Sequence, residues 1–437
     1  MSFRAAVKKV MPAGVFRRIE PLGHLGEAVF FNLINGWPAR GLKVIGVTGT
    51  NGKTSTSFLI QRMMHKAGYK VGLMTTVGWG VGADIKPQIH HMTNVAVPEL
   101  MGRLRQMKAA GAEWLVLETT SHSLAQNRVW GIPYSIGVMT NVTHEHLDYH
   151  GSFERYRAAK RKLFKLVARN RHGLGVGVIN ADDPSAELFA KAVRRPLTYG
   201  LKAGELRARD IKSTPDGSQF TVHSKTYPDM QLKIKVNLPG SFNVYNSLAA
   251  VGVGFAVGLT PLQIEQGIAA LESVEGRMTR LNEGQKFSVI VDYAHTPDSF
   301  QKLLGDLRPL VKGKLIVMFG SAGGKRDPAK RPLQGAIAGK YADEVILTEE
   351  DDRDTPGMEI LQAIAAGARR AGKKADKDLF IVHDRTEAIK FTLGRAGAGD
   401  TVLLLGKGHE KTIERGDRED PWDEVATAQI FLRQLVD

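Results

Sequence analysis

Lys43-Val44-Ile45-Gly46-Val47-Thr48-Gly49-Thr50-Asn51-Gly52-Lys53-Thr54 is the stretch on which the reading of this chain turns. The apolar run Lys43–Val47 reads as a strand. It passes through a loop with two glycines into Thr54–Lys66, a segment of helical spacing ended by Gly68. Strand, glycine loop and helix N-terminus in that order form a phosphate cradle. Gly49 and Gly52 let the backbone curl so that its N–H groups, including those of Thr50, Asn51 and Ser55, point at phosphate oxygens. Lys53 is placed to reach the β/γ-phosphates of a nucleotide and the Thr54 hydroxyl to ligate Mg²⁺. The common nucleotide-loop pattern has its first glycine where this chain has Val47, and Gly46 lies one position earlier, so the loop is a variant.

Working outward, further strands are expected at Val71–Thr75, Trp114–Glu118, Ile136–Asn141 and Gly175–Asn180, with a helix over Val97–Lys108 ended by Gly111. Alternating strands and helices argue for a mainly parallel sheet covered on both faces. Between residues 205 and 238, alternation at Phe220/Val222 and Leu232/Ile234/Val236 near the turn Pro215-Asp216-Gly217 predicts a small antiparallel patch. A second β/α series follows, with strands at Ser288–Tyr293, Lys314–Phe319, Glu344–Leu347, Leu379–Val382 and Thr401–Leu405, after a boundary near Glu275-Gly276-Arg277. The expected architecture is α/β: a short helical N-terminal arm (1–40), a central P-loop-type domain with a mainly parallel sheet (41–274), and a C-terminal doubly wound, Rossmann-like domain (275–437).

Composition narrows the function classes. The 437 residues include no cysteine, which excludes disulfides, zinc ribbons, iron–sulfur clusters and thiol nucleophiles and fits a reducing, cytoplasmic setting. The formal charge is +15, which favours a polyanionic partner. A nucleic-acid module would want basic patches interleaved with aromatics, but aromatics make up 7% and the charges are dispersed. No apolar run reaches the roughly 18 residues of a membrane helix. The arm carries Arg4, Lys8, Lys9, Arg17 and Arg18 and then an apolar run near Phe30, with no cleavage site of a signal peptide. It is expected to pack on the first domain, with peripheral contact to an anionic membrane as the alternative.

The segment Thr140-Asn141-Val142-Thr143-His144-Glu145-His146-Leu147-Asp148-Tyr149-His150-Gly151 follows a strand end, where a parallel sheet places ligands. Alone it could belong to a metallohydrolase, or be a structural histidine cluster. His172, His223 and His383 supply no obvious further ligand set, and a nucleotide loop has no part in simple metal-assisted hydrolysis.

Taken in order, these motifs resemble the Mur ligases. The resemblance is carried by the Thr48–Thr54 loop, Glu118-Thr119-Thr120-Ser121-His122, the 141–151 segment, Ala158-Ala159-Lys160, Gly240-Ser241-Phe242-Asn243-Val244-Tyr245-Asn246, Gly276-Arg277-Met278 and Asp292-Tyr293-Ala294-His295-Thr296-Pro297-Asp298. Gly323-Gly324-Lys325-Arg326-Asp327, Lys330-Arg331-Pro332 and Gly406-Lys407-Gly408-His409-Glu410 narrow it to the subgroup that adds the third residue of the peptidoglycan stem peptide. The resemblance implies an ATP- and Mg²⁺-dependent amide ligase, monomeric, acting on a nucleotide-sugar peptide and an amino acid. A carboxylate attacks the γ-phosphate to give an acyl phosphate and ADP; the amine then attacks and phosphate leaves.

Residue by residue, the resemblance implies that Lys53, Thr54, Glu118, His146 and Lys160 serve the phosphates and metal. Lys160 would carry a CO₂-derived carbamate, which a lysine can form and an arginine cannot. By charge pattern alone Lys160, beside Arg161 and Lys162, reads as a solvated lysine on a basic helix. Asn243, Asn246, Arg277 and Asp292 match the ATP-side residues, with ATP expected at the domain junction. Thr93, Asn94, Thr120, Ser121, Gln126 and Arg128 match the acceptor side, and Arg326, Asp351, Arg353, Gly406 and Glu410 the incoming amino acid.

Two departures matter. Diaminopimelate-adding members carry Asp-Asn-Pro-Arg where this chain has Glu350-Asp351-Asp352-Arg353. Residues 349–354 hold five acids and one base, net −4, which favours an amino acid with a distal ammonium. Arg353 as a carboxylate clamp points to meso-diaminopimelate; Arg353 tied up by neighbouring acids would point to lysine or ornithine. Secondly, the arm is shorter than the uridine-binding domain of the family. That leaves open a different hold on the sugar nucleotide, a lipid-linked muramoyl acceptor, or a folylpolyglutamate-like carboxylate.

Overall fold

Every residue of Val44–Thr48 is buried, and so is every residue of Val71–Met74, Trp114–Glu118, Tyr134–Met139 and Val176–Asn180. Such unbroken buried runs mark a parallel sheet covered on both faces. The computed structural model describes residues 13–88, 93–143, 145–214, 217–226, 230–324 and 327–436. Of the turn expected at 215–217, Pro215 and Asp216 lie outside these residues.

The chain divides into two units: Met1–Ile211, Phe220–Lys235 and Tyr245–Leu271 form one, and Lys212–Gln219, Val236–Val244 and Glu272–Asp437 the other. Among the described residues the larger sheet has eleven strands. They are β1 (Lys43–Thr48), β2 (Val71–Met74), β3 (Gly78–Val81), β4 (Asp84–Pro87), β5 (Trp114–Glu118), β6 (Tyr134–Met139), β7 (Val176–Asn180), β8 (Arg195–Gly200), β9 (Leu206–Thr214), β10 (Gly217–Ser224) and β11 (Gln231–Val236). Their spatial order is β11-β10-β9-β8-β7-β6-β1-β5-β2-β3-β4. Strands β2, β5, β1, β6 and β7 run parallel, while β3 and β4 return antiparallel at one edge. The expected small patch around 205–238 is not separate: β9 pairs with β8, so its strands extend the same sheet.

Strand β1 lies between β5 and β6, so chain order reverses there. A crevice opens at such a switch point, outside the carboxyl ends of the strands. The loop after β1 and the segment after β6 both begin at that place.

The helix Phe153–Arg169 crosses the sheet with Tyr156, Lys160, Leu163, Phe164 and Val167 buried, the spacing of one helical face. Lys160 is therefore not a solvated lysine: its period sets it with the apolar residues, at 2% exposure. The arm is a helix, Ala13–Ile34, fixed to the first unit by Ala28 in the core and by Asn32 Nδ2 donating to Trp130 O at 3.2 Å.

The second unit holds β12 (Thr279–Leu281), β13 (Ser288–Asp292), β14 (Leu315–Phe319), β15 (Glu344–Leu347), β16 (Leu379–Ile381) and β17 (Thr401–Leu405) in the order β12-β13-β17-β14-β15-β16, parallel except for β12. The hairpin β18 (Thr412–Arg415) and β19 (Arg418–Pro421) follows.

Candidate active site

In the first unit the loop after β1 is held by the segment after β6. Thr50 N donates to Asn141 O at 2.8 Å and Asn51 N to Asn141 Oδ1 at 2.9 Å, while Thr140 Oγ1 donates to Asn51 O at 2.6 Å. Two glycines are required by space. A side chain at Gly49 would collide with Thr140 Oγ1; one at Gly52, where φ is +83°, would collide with Asn246 Oδ1. Lys53 opens the helix Lys53–Lys66 and its Nζ donates to Thr50 O at 2.8 Å. Asn246 joins the same place, its Oδ1 accepting from Thr56 Oγ1 at 3.2 Å.

At the loop exit Thr54 Oγ1 donates to Glu118 Oε2 at 2.9 Å. Glu118, buried at the end of β5, also accepts from Thr76 N and Thr76 Oγ1 at 3.1 and 3.2 Å. A hydroxyl and a carboxylate are hard oxygen donors of the type Mg²⁺ takes, and the helix N-terminus favours phosphate. The residues present thus fit a nucleotide and Mg²⁺.

Lys160 Nζ donates to Gly49 O at 2.6 Å and lies 4.5 Å from the Tyr156 ring centre. Burial, and then the charge of Lys53, hold its ammonium well below the ordinary value of 10.5; Glu145 and Glu118 pull the other way. Tyr156 OH is 3.0 Å from Thr50 Oγ1. His146, in the left-handed region at φ +55°, stacks edge-on to His122 at 4.8 Å between ring centres. Burial, followed by the nearness of His146 and His150, pushes His122 down to about 3, so it is neutral. His150 Nε2 lies 3.0 Å from Ser121 Oγ. His144 lies outside the described residues.

Of the residues expected on the acceptor side, Thr120 and Arg128 meet at Asn94, while Thr93, Ser121 and Gln126 bond Thr76, His150 and Tyr149, respectively. Asn94 Nδ2 donates to Glu118 O at 2.8 Å, and its Oδ1 accepts from Thr120 N and Oγ1, both at 3.0 Å. Arg128 Nη1 donates to Asn94 O at 2.8 Å, and the Thr93 and Thr76 hydroxyl oxygens lie 2.8 Å apart. Gln126 bonds the Tyr149 side chain.

The second unit gathers another group at the ends of β13 and β17. Asp292 Oδ2 accepts from Met278 N and Oδ1 from Ala294 N, each at 2.8 Å. Burial raises its carboxyl, against the pull of Arg277. Arg277 stacks on Tyr293 at 4.5 Å, and Tyr293 OH donates to Glu410 Oε1 at 3.0 Å. Lys407, fully buried, bridges Asp351 Oδ1 at 2.9 Å and Glu410 Oε2 at 2.6 Å. Gly406 N donates to Asp292 O at 3.2 Å. Arg353 Nε donates to Glu414 Oε2 at 2.7 Å, with Nη2 3.8 Å from Asp351. Asn243 Nδ2 donates to Pro239 O at 2.7 Å, a contact local to its own turn. Arg326 lies outside the described residues.

Sequence reasoning passed over Thr76, Tyr156 and Glu414, and quoted Lys407 only within its motif. Thr76 stands just past the carboxyl end of β2, where a polar residue is a signal. Glu414 lies on the hairpin β18–β19 and gave none.

A family profile described as the Mur ligase middle domain matches residues 47–254, and one described as the Mur ligase glutamate ligase domain matches 276–408. The UDP-N-acetylmuramyl-tripeptide synthetase of Roseiflexus sp. (strain RS-1) is 43% identical over 415 residues, covering 92% of this chain and 80% of that protein. The UDP-N-acetylmuramoyl-L-alanyl-D-glutamate--2,6-diaminopimelate ligase of Geobacillus thermodenitrificans (strain NG80-2) is 38% identical over 421 residues, covering 95% and 84%. A solved structure of a UDP-N-acetylmuramoyl-L-alanyl-D-glutamate--2,6-diaminopimelate ligase superposes with a TM-score of 0.64 at 30% identity, covering 96% and 83%.

Proposed function

This chain belongs to the Mur ligase family, ATP-dependent amide ligases of peptidoglycan precursor synthesis that use ATP and Mg²⁺, and on that premise we propose that it adds a diamino acid to UDP-N-acetylmuramoyl-L-alanyl-D-glutamate. The observation that carries the reading is the meeting of Thr54 Oγ1 with Glu118 Oε2 at the exit of the glycine loop, with Asn94 and Thr120 bonded to the same strand end. That arrangement supports a metal-and-phosphate site beside groups able to bind an acceptor. Mg²⁺ there would offset the repulsion between a carboxylate and the phosphates it approaches. Lys53 and the loop N–H groups orient the phosphates, Glu118 and Thr54 offer metal ligands, and His146 adds another. Lys160, as a carbamate, would turn a buried cationic position into an anionic one. Arg128 is our choice for the acceptor's carboxylate.

For the incoming amino acid, Asp351 and Glu410 share the one cation of Lys407, and the carboxylate in excess suits an ammonium. Arg353 has only Nε committed to a hydrogen bond among the described residues, which leaves its Nη donors for a distal carboxylate and supports meso-diaminopimelate. A second reading, lysine or ornithine, is favoured by the same Glu414 pairing if it holds Arg353 as a structural ion pair. The test is ADP release with each amino acid in wild type and Arg353→Ala. Diaminopimelate dependence that vanishes in the variant supports the first reading; a wild-type preference for lysine or ornithine supports the second.

A further inference from the structure

The helix Ala13–Ile34 is apolar on its outer face as well as on the inner face that carries Ala28 and Phe31. Between residues 19 and 34 its exposed positions are Ile19, Leu22, Gly23, Gly26, Phe30, Leu33 and Ile34, without one polar side chain among them. The large ones are far from covered: Ile19 47%, Leu22 66%, Phe30 56%, Leu33 60% and Ile34 60% exposed. At 100° per residue all seven fall within about a third of the helix circumference, one continuous stripe. The polar residues Glu20, His24 and Glu27 are partly covered to one side of the stripe, and Asn32 is buried. Asn32 bonds Trp130 O, Pro21 O accepts from Asn127 Nδ2 at 3.1 Å, and His24 stands 3.4 Å from Glu27 and 4.0 Å from Glu20. A surface helix ordinarily shows a polar outer face, and contiguous exposed apolar faces mark interaction sites.

Charge says what covers it. The sequence up to residue 19 carries Arg4, Lys8, Lys9, Arg17 and Arg18 and no acid; Glu20 is the first. An apolar stripe that follows a basic segment in the sequence matches a surface that is anionic outside and hydrocarbon within. We propose that this helix seats its apolar stripe in the surface of an anionic lipid bilayer, lying in the interface without crossing it. No helix of the described residues is long and apolar enough to span a membrane. The proposal does not depend on the ligase reading, because no group of the candidate site lies on the exposed stripe.

The experiment is vesicle flotation of the full chain, with vesicles of phosphatidylglycerol and phosphatidylcholine at about three to seven and with phosphatidylcholine alone. Wild type is expected to float with the anionic vesicles at least about tenfold more than with the neutral ones. Leu22→Glu/Leu33→Glu, changes at exposed positions, should abolish flotation while thermal unfolding and ADP release stay as in wild type. Lys8→Glu/Lys9→Glu, which leaves the stripe intact, should weaken it and make it insensitive to salt. The proposal is overturned if wild type stays at the bottom with anionic vesicles, or if both variants float as wild type does. It is equally overturned if wild type fails to float and sediments as a dimer that Leu22→Glu/Leu33→Glu dissociates, for then the stripe is an interface between copies.

Discussion

Lys160 Nζ donates to the carbonyl oxygen of Gly49 at 2.6 Å, joining the helix Phe153–Arg169 to the first glycine of the loop after β1. The amine is buried next to Lys53 and Glu118, so its charge state matters to everything the loop holds.

A neutral amine is the form that reacts with CO₂. The depressed ammonium of Lys160 therefore favours a carbamate, with one proton released as the C–N bond forms. Lys160→Ala is expected to lose nearly all turnover and to regain part of it with small carboxylates that fill the vacated place. Full activity in Lys160→Ala without any addition would contradict the role.

The same depression has a consequence for stability in CO₂-free buffer. Between the folded pKa and the ordinary 10.5, the unfolded chain holds more protons at this site than the folded one. Wild-type stability should rise with pH across that window up to about 10.5 and fall as pH drops through it. Lys160→Met lacks the group and should lack that part of the slope. Equal slopes by denaturant unfolding at stepped pH would refute the burial argument.

Glu118 accepts three hydrogen bonds, from Thr54 and Thr76, and offers the buried carboxylate of the proposed metal site. Glu118→Gln keeps an acceptor but removes the charge. The half-saturating Mg²⁺ concentration should rise by roughly tenfold or more, with thermal stability little changed. An unaltered Mg²⁺ titration would remove Glu118 from the site.

In the second unit Arg385 and Glu424 are fully buried and paired at 2.6 and 2.8 Å. Arg385→Met would leave the Glu424 charge with the Trp422 indole N–H at 2.8 Å as its remaining described partner. The expected loss is about 3–5 kcal/mol in chemical unfolding, and about half or less when Glu424→Gln is added. A single variant as stable as wild type would mean that water or another cation reaches Glu424.

Much of this was legible in the chain. The β1 run, the two glycines and Lys53-Thr54 gave strand, loop and helix because their chemistry is local. Charge pattern alone, from Arg161 and Lys162, sets Lys160 on a solvated face, whereas Tyr156, Leu163, Phe164 and Val167 set it on the buried one; period outranks local charge. Strands β3, β4, β18 and β19 were missed because they are short, largely polar or glycine-rich, and specified by edge pairing. The Glu414 pairing with Arg353 was also out of reach: residues 61 apart in sequence meet only once the hairpin β18–β19 has formed.

Lys53 leads the helix that starts at the phosphate loop, so Lys53→Ala should lower turnover by about 10²-fold or more through lost γ-phosphate stabilisation. Unchanged turnover would exclude the loop from the reaction.

The most direct measurement of the central claim follows product mass and ADP together. Full-length enzyme is given ATP, Mg²⁺, UDP-N-acetylmuramoyl-L-alanyl-D-glutamate and one diamino acid at a time. The account predicts a product equal to acceptor plus diamino acid minus water, one ADP per amide bond, and neither without all the substrates. ADP release that ignores the amino acid, or no coupled product with any diamino acid, would contradict it.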